Sequence, residues 1–188
     1  FQDGNASDRE TVASNNGTLK KEPSSVSGPE LYKMNTNSYT NTEVYLNTLD
    51  DSSLLVNGNL DISGSTFHGS GYIVATGNMS ISNSSLIKGN IFIICGGSLT
   101  ISENSEIGES INAPVVLYSK GDVSLTNSTV YGLIVSKGDN LVLNGTSVNG
   151  AILNYSALFS LTGNSDIVGS VVSKYSVDLQ GELASITR

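Results

Sequence analysis

From residue 53 onward, the same succession of short apolar clusters and turn residues returns about every 19 residues. The Gly that ends each repeat marks the period: Gly69 and Gly89 lie 20 residues apart, Gly132 and Gly150 lie 18 apart, and Gly150 and Gly169 lie 19 apart. Two repeats with an insertion fill the 43 residues between Gly89 and Gly132. A fixed period of this length over seven repeats predicts a solenoid.

Each repeat contains three short apolar clusters that are separated by turn residues. Within a cluster, apolar side chains often alternate with polar ones, as in Val123-Ser124-Leu125, and such alternation places one side chain inward and the next outward on a strand. Clusters of three residues are too short for helices. The sequence therefore predicts an all-β fold: a single-stranded parallel β-helix with three sides and about seven coils. We expect a right-handed coil with a length of roughly 34 Å, because adjacent strands lie about 4.8 Å apart.

Gly and Asn occupy the corners between clusters, where the backbone adopts conformations that other residues resist. Four asparagines fall at or near the same corner of successive repeats, and we expect them to stack into a ladder along the coil axis. They are Asn83, Asn104, Asn127 and Asn164. Because Trp is absent and aromatic residues make up 6% of the chain, we expect an aliphatic interior with Ile134 among the inward side chains.

The first 50 residues differ in character from the repeats. Residues 1–29 are rich in Ser, Asn, Thr and Gly without periodicity, which is typical of a linker. We therefore divide the chain into a polar N-terminal linker and capping segment, residues 1–50, and a parallel β-helix, residues 51–188. Residues 30–52 are expected to cover the first coil, with Leu31–Met34 as a docking segment and Val44–Leu46 as a first strand. The absence of an initial Met is consistent with removal of an upstream targeting or membrane segment.

The charge balance disfavours two classes of partner. The chain carries a net charge of −8 and only nine Lys plus Arg, whereas nucleic acids and anionic membranes attract concentrated basic surfaces. No run of 18 apolar residues occurs, so we expect membrane contact only through a segment absent from this chain. The single Cys, Cys95, lies in an apolar run and is predicted to be a buried small hydrophobe.

Two features of the sequence are candidates for sites of chemistry. His68 is the only His and follows Phe67 at a predicted corner, so we interpret it as a surface-loop residue. The acidic loop contains Glu103, Glu106 and Glu109, whose oxygens could bind a hard cation such as Ca²⁺. Their spacing matches no EF-hand and no calcium-binding nonapeptide repeat, which favours a solvated loop. The repeats are irregular near residues 103–114, and we expect any specific contact there.

Carbohydrate-active β-helix enzymes need clustered carboxylates and a basic residue on one face. Here only Asp122 and Asp139 share a coil position, beside Lys120 and Lys137, and we interpret these four residues as a surface ion-pair array. The repeats leave almost no loop length from which to build a cleft. We therefore predict a protein that is not an enzyme, with no catalytic, cofactor-binding or metal-binding residues.

Two stretches carry a resemblance to a known family. Gly121–Lys137 and Asn144–Ile152 resemble the β-helical C-terminal domain of PilX-like type IV pilus-assembly and minor pilin proteins, and the similarity covers residues 53–183. The resemblance implies an exposed, non-catalytic structural or adhesive module at the bacterial cell surface. It also implies other pilus or surface subunits as partners, or a host or matrix surface, and it identifies no ligand.

Two alternatives stay open. The period is also similar to that of bactofilins, the polymerising cytoskeletal β-helices, which would make the chain a scaffold built by end-to-end stacking of coils. The other alternative is a carbohydrate-active β-helix enzyme.

Overall fold

The computed structural model describes residues 31–33, 37–46, 53–180 and 184–188. Within these ranges the chain forms nineteen strands and no helix. The strands are β1 (Leu31–Lys33), β2 (Ser38–Thr40), β3 (Glu43–Leu46), β4 (Ser53–Val56), β5 (Leu60–Ser63), β6 (Thr66–Ala75), β7 (Met79–Ser82), β8 (Leu86–Cys95), β9 (Leu99–Ile101), β10 (Glu106–Ile107), β11 (Val115–Ser119), β12 (Val123–Thr126), β13 (Thr129–Ser136), β14 (Asn140–Asn144), β15 (Ser147–Asn154), β16 (Leu158–Thr162), β17 (Asp166–Ser173), β18 (Val177–Gln180) and β19 (Ser185–Thr187).

The strands form two parallel sheets that wind into a three-sided coil. The 8-stranded sheet, β2-β5-β7-β9-β12-β14-β16-β18, is face 1. The 11-stranded sheet supplies the other two faces, because its long strands bend at a Gly. The first half of β6 pairs with β3 and its second half pairs with β4. We call the first halves of these strands, with β3, β10 and β19, face 2. The second halves, with β1, β4 and β11, form face 3.

The register confirms the period read from the sequence. Leu60 pairs with Met79, and Met79 pairs with Leu99, so equivalent residues of neighbouring coils lie 19 or 20 positions apart. After the insertion, Val123 pairs with Leu141 at an offset of 18. The predicted all-β parallel solenoid of about seven turns is therefore confirmed, and the handedness stays a prediction.

Inward side chains of all three faces form one continuous core. In β13 buried and partly exposed residues alternate along the whole strand, and Ile134 is fully buried as predicted. The expectation of a purely aliphatic interior was wrong, since Phe67 and Phe159 are also fully buried. Tyr39 packs edge-on against Phe67, with ring centroids 5.4 Å apart. A coil with short corners leaves room for a ring, and the neighbouring coil provides the surface on which it packs.

Parallel stacking extends upstream of the boundary that the sequence placed at residues 50 and 51. Strand β2 pairs with β5, and β3 pairs with β6, in the register of the later coils. Val44 and Leu46 are buried there, which confirms the predicted strand over Val44–Leu46. The segment Leu31–Lys33 forms β1 and pairs with β4. The linker predicted for residues 1–29 lies outside the described residues.

The insertion is a turn between β10 and β11. It covers residues 108–114 at the corner where other coils pass from face 2 to face 3 through a single Gly or a short bend. The Ala113 amide donates to the Ser110 carbonyl at 3.1 Å, which closes the turn. Ile111 at its tip is 62% exposed. In the part of the chain that the structure describes, no helix has the length and apolar character needed to cross a membrane.

Candidate functional site

The outward side chains of the three faces differ in polarity. On face 1, the first outward row consists of Asp61, Ser80, Thr100, Ser124, Val142, Ser160 and Asp178. The second row of face 1 consists of Ser63, Ser82, Ser102, Thr126, Asn144, Thr162 and Gln180. Face 2 is mixed and carries His68, Lys88, Glu106 and Asp166 among its outward residues. Face 1 therefore presents a mostly polar surface, and face 2 combines charged and polar side chains with the exposed residues Tyr45 and Val168.

Face 3 has apolar residues on its outward side as well as its inward side. We call the outward set the apolar face. Its first row is Tyr72, Phe92, Val116, Leu133 and Ala151, and its second row is Leu55, Val74, Ile94, Tyr118, Val135, Leu153 and Val172. From Leu55 onward neither row contains a charged residue, and the residue that pairs with Leu55 in β1 is Lys33. Strands that are apolar on both sides are typical of sheets that are covered on both sides, yet no strand or turn among the described residues pairs with or covers the outward side of face 3.

The apolar face is exposed to solvent at its aromatic end and at the opposite end. Tyr72 and Phe92 are each 43% exposed, and their rings lie with centroids 5.3 Å apart. Val172 in the last long strand is 62% exposed. Seven strands about 4.8 Å apart and a width of about four residues give a flat area of roughly 450 Å². A patch of this size is at the level that marks interaction sites on monomeric proteins.

The sequence contains a signal for this face that our reading missed. The clusters that form face 1 alternate apolar and polar residues, as in β12, whereas those of face 3 are continuous apolar runs, as in Ile91–Ile94 and Leu133–Val135. The lack of alternation in one of the three clusters of each repeat is therefore the signal for a face that is apolar on both sides.

A lysine edge borders the apolar face at the corner toward face 1. Lys120, Lys137 and Lys174 occupy the same position in three coils, since each amide donates to the coil before it at the same point of the register. The Lys137 ammonium lies 5.9 Å from the ring centroid of Tyr118 and 5.6 Å from that of Tyr155. These distances allow cation–π attraction, so Lys137 lies against the aromatic rings rather than against a carboxylate.

The ion-pair array predicted for this corner was wrong. Among the described residues the only salt bridge lies elsewhere, and no Lys of this corner lies within 4.0 Å of a carboxylate. Instead Asp122 accepts hydrogen bonds from the Asn140 side chain at 2.9 Å, the Asn140 amide at 3.0 Å and the Asp139 amide at 2.8 Å. The hydrogen bonds from Asn140, followed by that from the Asp139 amide, lower the pKa of Asp122. Two upstream coils use an Asn there, as when Asn78 Oδ1 accepts from the Ser98 amide.

The stacked polar residues at the corner between faces 1 and 2 are hydroxyls and not asparagines. Asn83, Asn104 and Asn127 do share this corner, with φ of 58°, 59° and 45°. At this corner Gly163 adopts the left-handed conformation in place of Asn164. Within the described residues, these Asn side chains do not hydrogen-bond to one another. The predicted amide ladder was therefore wrong.

A buried hydroxyl column lies just inside the same corner. Its members are Ser65, Ser85, Ser105, Ser128, Thr146 and Ser165. The Ser65 amide donates to Ser85 Oγ at 3.2 Å, and Ser85 Oγ donates to the Ser82 carbonyl at 2.6 Å. The Ser85 amide in turn donates to Ser105 Oγ at 3.2 Å. Five of the six hydroxyls thus bond to a backbone group at the corner, and Ser128 Oγ instead lies 3.5 Å from Thr146 Oγ1, so each buried hydroxyl has the partner that a buried polar group requires.

His68 is a strand residue and not a loop residue, so that part of its prediction was wrong. It lies in β6 on face 2, where its ring stacks on Tyr45 with centroids 4.9 Å apart. His68 Nε2 is 3.0 Å from Glu43 Oε1, and the Tyr45 hydroxyl donates to the same oxygen at 2.7 Å. These two hydrogen bonds, that from Tyr45 first, lower the pKa of Glu43. Because Glu43 is more than half exposed at 59%, the cluster is a solvated contact between β3 and β6.

The acidic loop does not gather its carboxylates. Glu103 lies at a corner with φ of 56°, Glu106 lies in β10, and Glu109 follows Gly108 in the insertion. Over the residues that the structure describes, no group of three or more Asp, Glu, His or Cys side chains is arranged to hold a metal ion. The binding of a cation by this loop therefore gains no support from the geometry.

Cys95 is fully buried, as predicted, and its thiol is used as a weak donor. Sγ lies 3.4 Å from the Gly77 carbonyl oxygen and 3.3 Å from that of Ser98. Burial raises the pKa of the thiol, which keeps it protonated and unreactive near neutral pH. Ser119 fills the same position in the next coil and donates to the Gly97 and Gly121 carbonyls.

The strongest candidate for a functional site is therefore the apolar face. Several polar side chains that could do chemistry, including Asp122 and most of the buried hydroxyl column, are hydrogen-bonded to the backbone, whereas the apolar face is held by the parallel strands beneath it and bears no charged side chain from Leu55 to Val172. Comparison of the chain with protein-family models, with curated proteins and with solved structures gave no match.

Proposed function

We propose that this chain is a non-catalytic structural or adhesive module of a bacterial surface protein, and that it assembles through the apolar face. The observation that carries the proposal is the polarity difference between faces. The outward rows of two faces contain charged side chains among polar and apolar ones, whereas the third has twelve apolar residues in register from Leu55 to Val172. Burying this surface against a partner would release the water that it orders.

The rigidity of the solenoid supports a contact role. Outward residues of face 3 lie on strands whose neighbours on both sides are hydrogen-bonded, as when Val135 pairs with both Tyr118 and Leu153. A preorganised surface loses little conformational entropy when it binds. The use of the hydroxyl column within the backbone network also favours a structural role over catalysis.

The location and partners follow from the sequence resemblance. Gly121–Lys137 and Asn144–Ile152 resemble the β-helical domain of PilX-like minor pilins, which implies an exposed domain of a type IV pilus-associated protein at the cell surface. The partners would be other pilus or surface subunits, or a host or matrix surface. The net charge of −8 agrees with an exposed, soluble module.

Localisation tests the surface assignment directly. An antibody raised against the 188-residue chain is applied to intact and to permeabilised cells that carry the natural gene, and filaments sheared from the cells are probed with the same antibody. We expect labelling of intact cells and signal in the sheared filaments. Labelling that requires permeabilisation would overturn the surface role, and surface signal without filament signal would overturn the pilus association.

Paired variants test the role of the apolar face. Leu133→Glu with Val135→Glu places two carboxylates on it, whereas Ser124→Glu with Val142→Glu places two on face 1 of neighbouring coils. We expect the first variant to lose retention in the cell-surface fraction and the second to keep it, with unchanged circular dichroism for both. Equal retention would show that the apolar face is not the assembly surface.

A polymer-forming scaffold, with coils stacked end to end as the similarity to bactofilins implies, is the alternative. Exposed apolar residues in the last described strands favour it: Leu179 is 52% exposed and Ile186 is 40% exposed. Strand edges with such residues tend to pair with other chains. Filaments seen by electron microscopy that disappear with Leu179→Lys but persist with the Leu133→Glu, Val135→Glu variant would favour this alternative.

A further inference from the structure

The first row of the apolar face tapers along the coil axis. It begins with two aromatic residues, Tyr72 and Phe92, and passes through Val116 and Leu133 to Ala151. The next residue in register is Ser170. Side chains therefore shrink from one end of the row to the other, and the outward surface of face 3 is higher at the aromatic end.

We infer that the partner on the apolar face is a second copy of this chain, packed face to face with its coil axis antiparallel to the first. A two-fold axis along the strand direction, between the coils of Val116 and Leu133, brings these two residues opposite each other. The same axis sets Phe92 opposite the partner's Ala151, and Tyr72 opposite the partner's Ser170. Both aromatic residues of the row then meet a small residue, and the two aliphatic residues at the centre meet each other. This inference rests on the proposed structural role of the apolar face.

The second row of the apolar face fits the same arrangement. In the second row the axis pairs Tyr118 with the partner's Val135, a large with a medium side chain, and Ile94 with the partner's Leu153, two side chains of equal volume. Self-complementarity of this kind is what a two-fold interface demands, and matched heights let two sheets pack about 10 Å apart over their whole length.

The corner column beside the second row tapers in the opposite sense and also complements itself. Gly96 and Tyr155 occupy this column three coils apart, and the two-fold axis places Tyr155, 46% exposed, over the partner's Gly96. A face-to-face dimer with parallel coil axes would instead place the aromatic ends of the two copies together and leave a gap between the two ends that carry Ala151. The taper therefore favours the antiparallel dimer over the parallel one.

The size of the apolar face sets the expected affinity. Two faces of roughly 450 Å² each would bury about 900 Å² in total, slightly below the roughly 1,000 Å² expected of a specific interface and below the roughly 1,200–2,000 Å² of stable ones. The dimer should therefore be weak, with a Kd on the order of 10–100 µM. A weak contact between copies suits a module that assembles only where it is concentrated.

Charges at the lysine edge give the dimer a characteristic salt dependence. The two-fold axis brings Lys120 near the partner's Lys137, so like charges meet at the rim. Added salt screens this repulsion and at the same time does not weaken apolar contact. The dimer should tighten as NaCl rises, which is the opposite of an assembly held by ion pairs.

Sedimentation velocity over about 5–500 µM tests the dimer itself. The natural chain should pass from monomer to dimer, and the midpoint should move to lower concentration with added NaCl. Leu133→Glu with Val135→Glu should stay monomeric, whereas Ser124→Glu with Val142→Glu should dimerise like the natural chain. A monomer throughout the range, or equal dimerisation of both variants, would overturn the inference.

Cross-linking of mixed single-cysteine chains tests the orientation. Phe92→Cys and Ala151→Cys chains are prepared separately, and Cys95 is buried and provides no background. Since packed sheets lie about 10 Å apart, beyond the reach of a disulfide, a short bis-maleimide is used. Antiparallel packing predicts a cross-linked dimer in the mixture and little in either chain alone; a linked product from Phe92→Cys alone would overturn it.

The outcomes separate this inference from the proposed function. If the natural chain is monomeric but the apolar-face variant still loses cell-surface retention, the assembly role of the face stands and its partner is another protein. If the chain dimerises as described but labels only permeabilised cells, the dimer stands and the surface role falls.

Discussion

Replacement of Gly150 by Ala should destabilise the solenoid strongly. Gly150 lies where β15 turns from face 2 to face 3, with φ of 150°, and pairs with Gly132 and Gly169 in the adjacent coils. A Cβ there would lie 2.9 Å from the Gly132 carbonyl carbon, and closer still to its oxygen. These are backbone atoms fixed by the sheet, so the neighbouring coil cannot yield by changing a rotamer.

The magnitude follows from two additive costs. A non-Gly residue in this sparsely populated backbone region costs about 1–3 kcal/mol, and overpacking against fixed atoms costs about 1–3 kcal/mol more. The sum, about 4 kcal/mol at the centre of the range, corresponds to a Tm lower by about 8–16 °C for a chain of this length. Thermal unfolding followed by far-UV circular dichroism measures it.

Gly163→Asn is the matched control. Gly163 has φ of 59° and occupies the corner position at which Asn127 has φ of 45°, so Asn is already accepted in that conformation. The nearest atom to its added Cβ is the Asn144 side-chain oxygen at 2.8 Å, which can rotate away. We expect a loss of less than about 1 kcal/mol. A Tm for Gly150→Ala within about 3 °C of the natural chain would refute the steric reasoning.

Three further changes test other parts of the structure. Ser85→Ala should cost about 1–3 kcal/mol in the free energy of unfolding by urea, because the Ser65 amide loses its buried acceptor, whereas Ser85→Thr should be tolerated; equal stability of the two would contradict the hydroxyl column. Hydrogen bonds hold the pKa of Asp122 below its ordinary value of 3.8. The ionised Asp122 carboxylate therefore stabilises the folded chain above pH 3.8, and this stabilisation is lost as the pH falls through the lower pKa of the folded state. Asp122→Asn should therefore flatten the acid side of a plot of Tm against pH, and an unchanged slope would count against this account. Ile134→Asp places a charge in the core and should abolish folding as seen by circular dichroism, whereas Val135→Asp on the outward side should fold; two folded proteins would invert the assignment of inside and outside.

Much of the backbone fold could be predicted from the sequence because the solenoid is built from local, repeated rules. A strand such as β12 carries its own alternation, and its neighbour in the sheet is the same segment of the next repeat. The corner residues Asn83, Asn104 and Asn127 adopt the left-handed conformation that their type favours. Even so, the strands upstream of residue 51 were assigned to a separate segment, because three-residue strands such as β2 contain too few residues to show a period.

Only part of the candidate site could be predicted in the same way, because a continuous apolar run marks a strand that is apolar on both sides but not the neighbours that its residues contact. Each contact at the apolar face joins residues about 19 positions apart, as when Tyr118 lies between Ile94 and Val135. A continuous apolar run such as Leu133–Val135 does not state which of its side chains points outward, since a shift of one residue exchanges the two sides of a strand.

The sequence by itself determined that this chain is a parallel solenoid with polar corners and an aliphatic-rich interior, because period and alternation act within each repeat. Only the tertiary structure determined which residues of successive repeats lie next to one another and form a common surface. Stacking in register aligned the outward residues of face 3 into one uncharged surface, turned Ser85 and its equivalents into a buried column, and directed Asp122 toward backbone amides rather than toward lysine. These features depend on neighbours one full coil away, and only the folded coil fixes which residues those neighbours are.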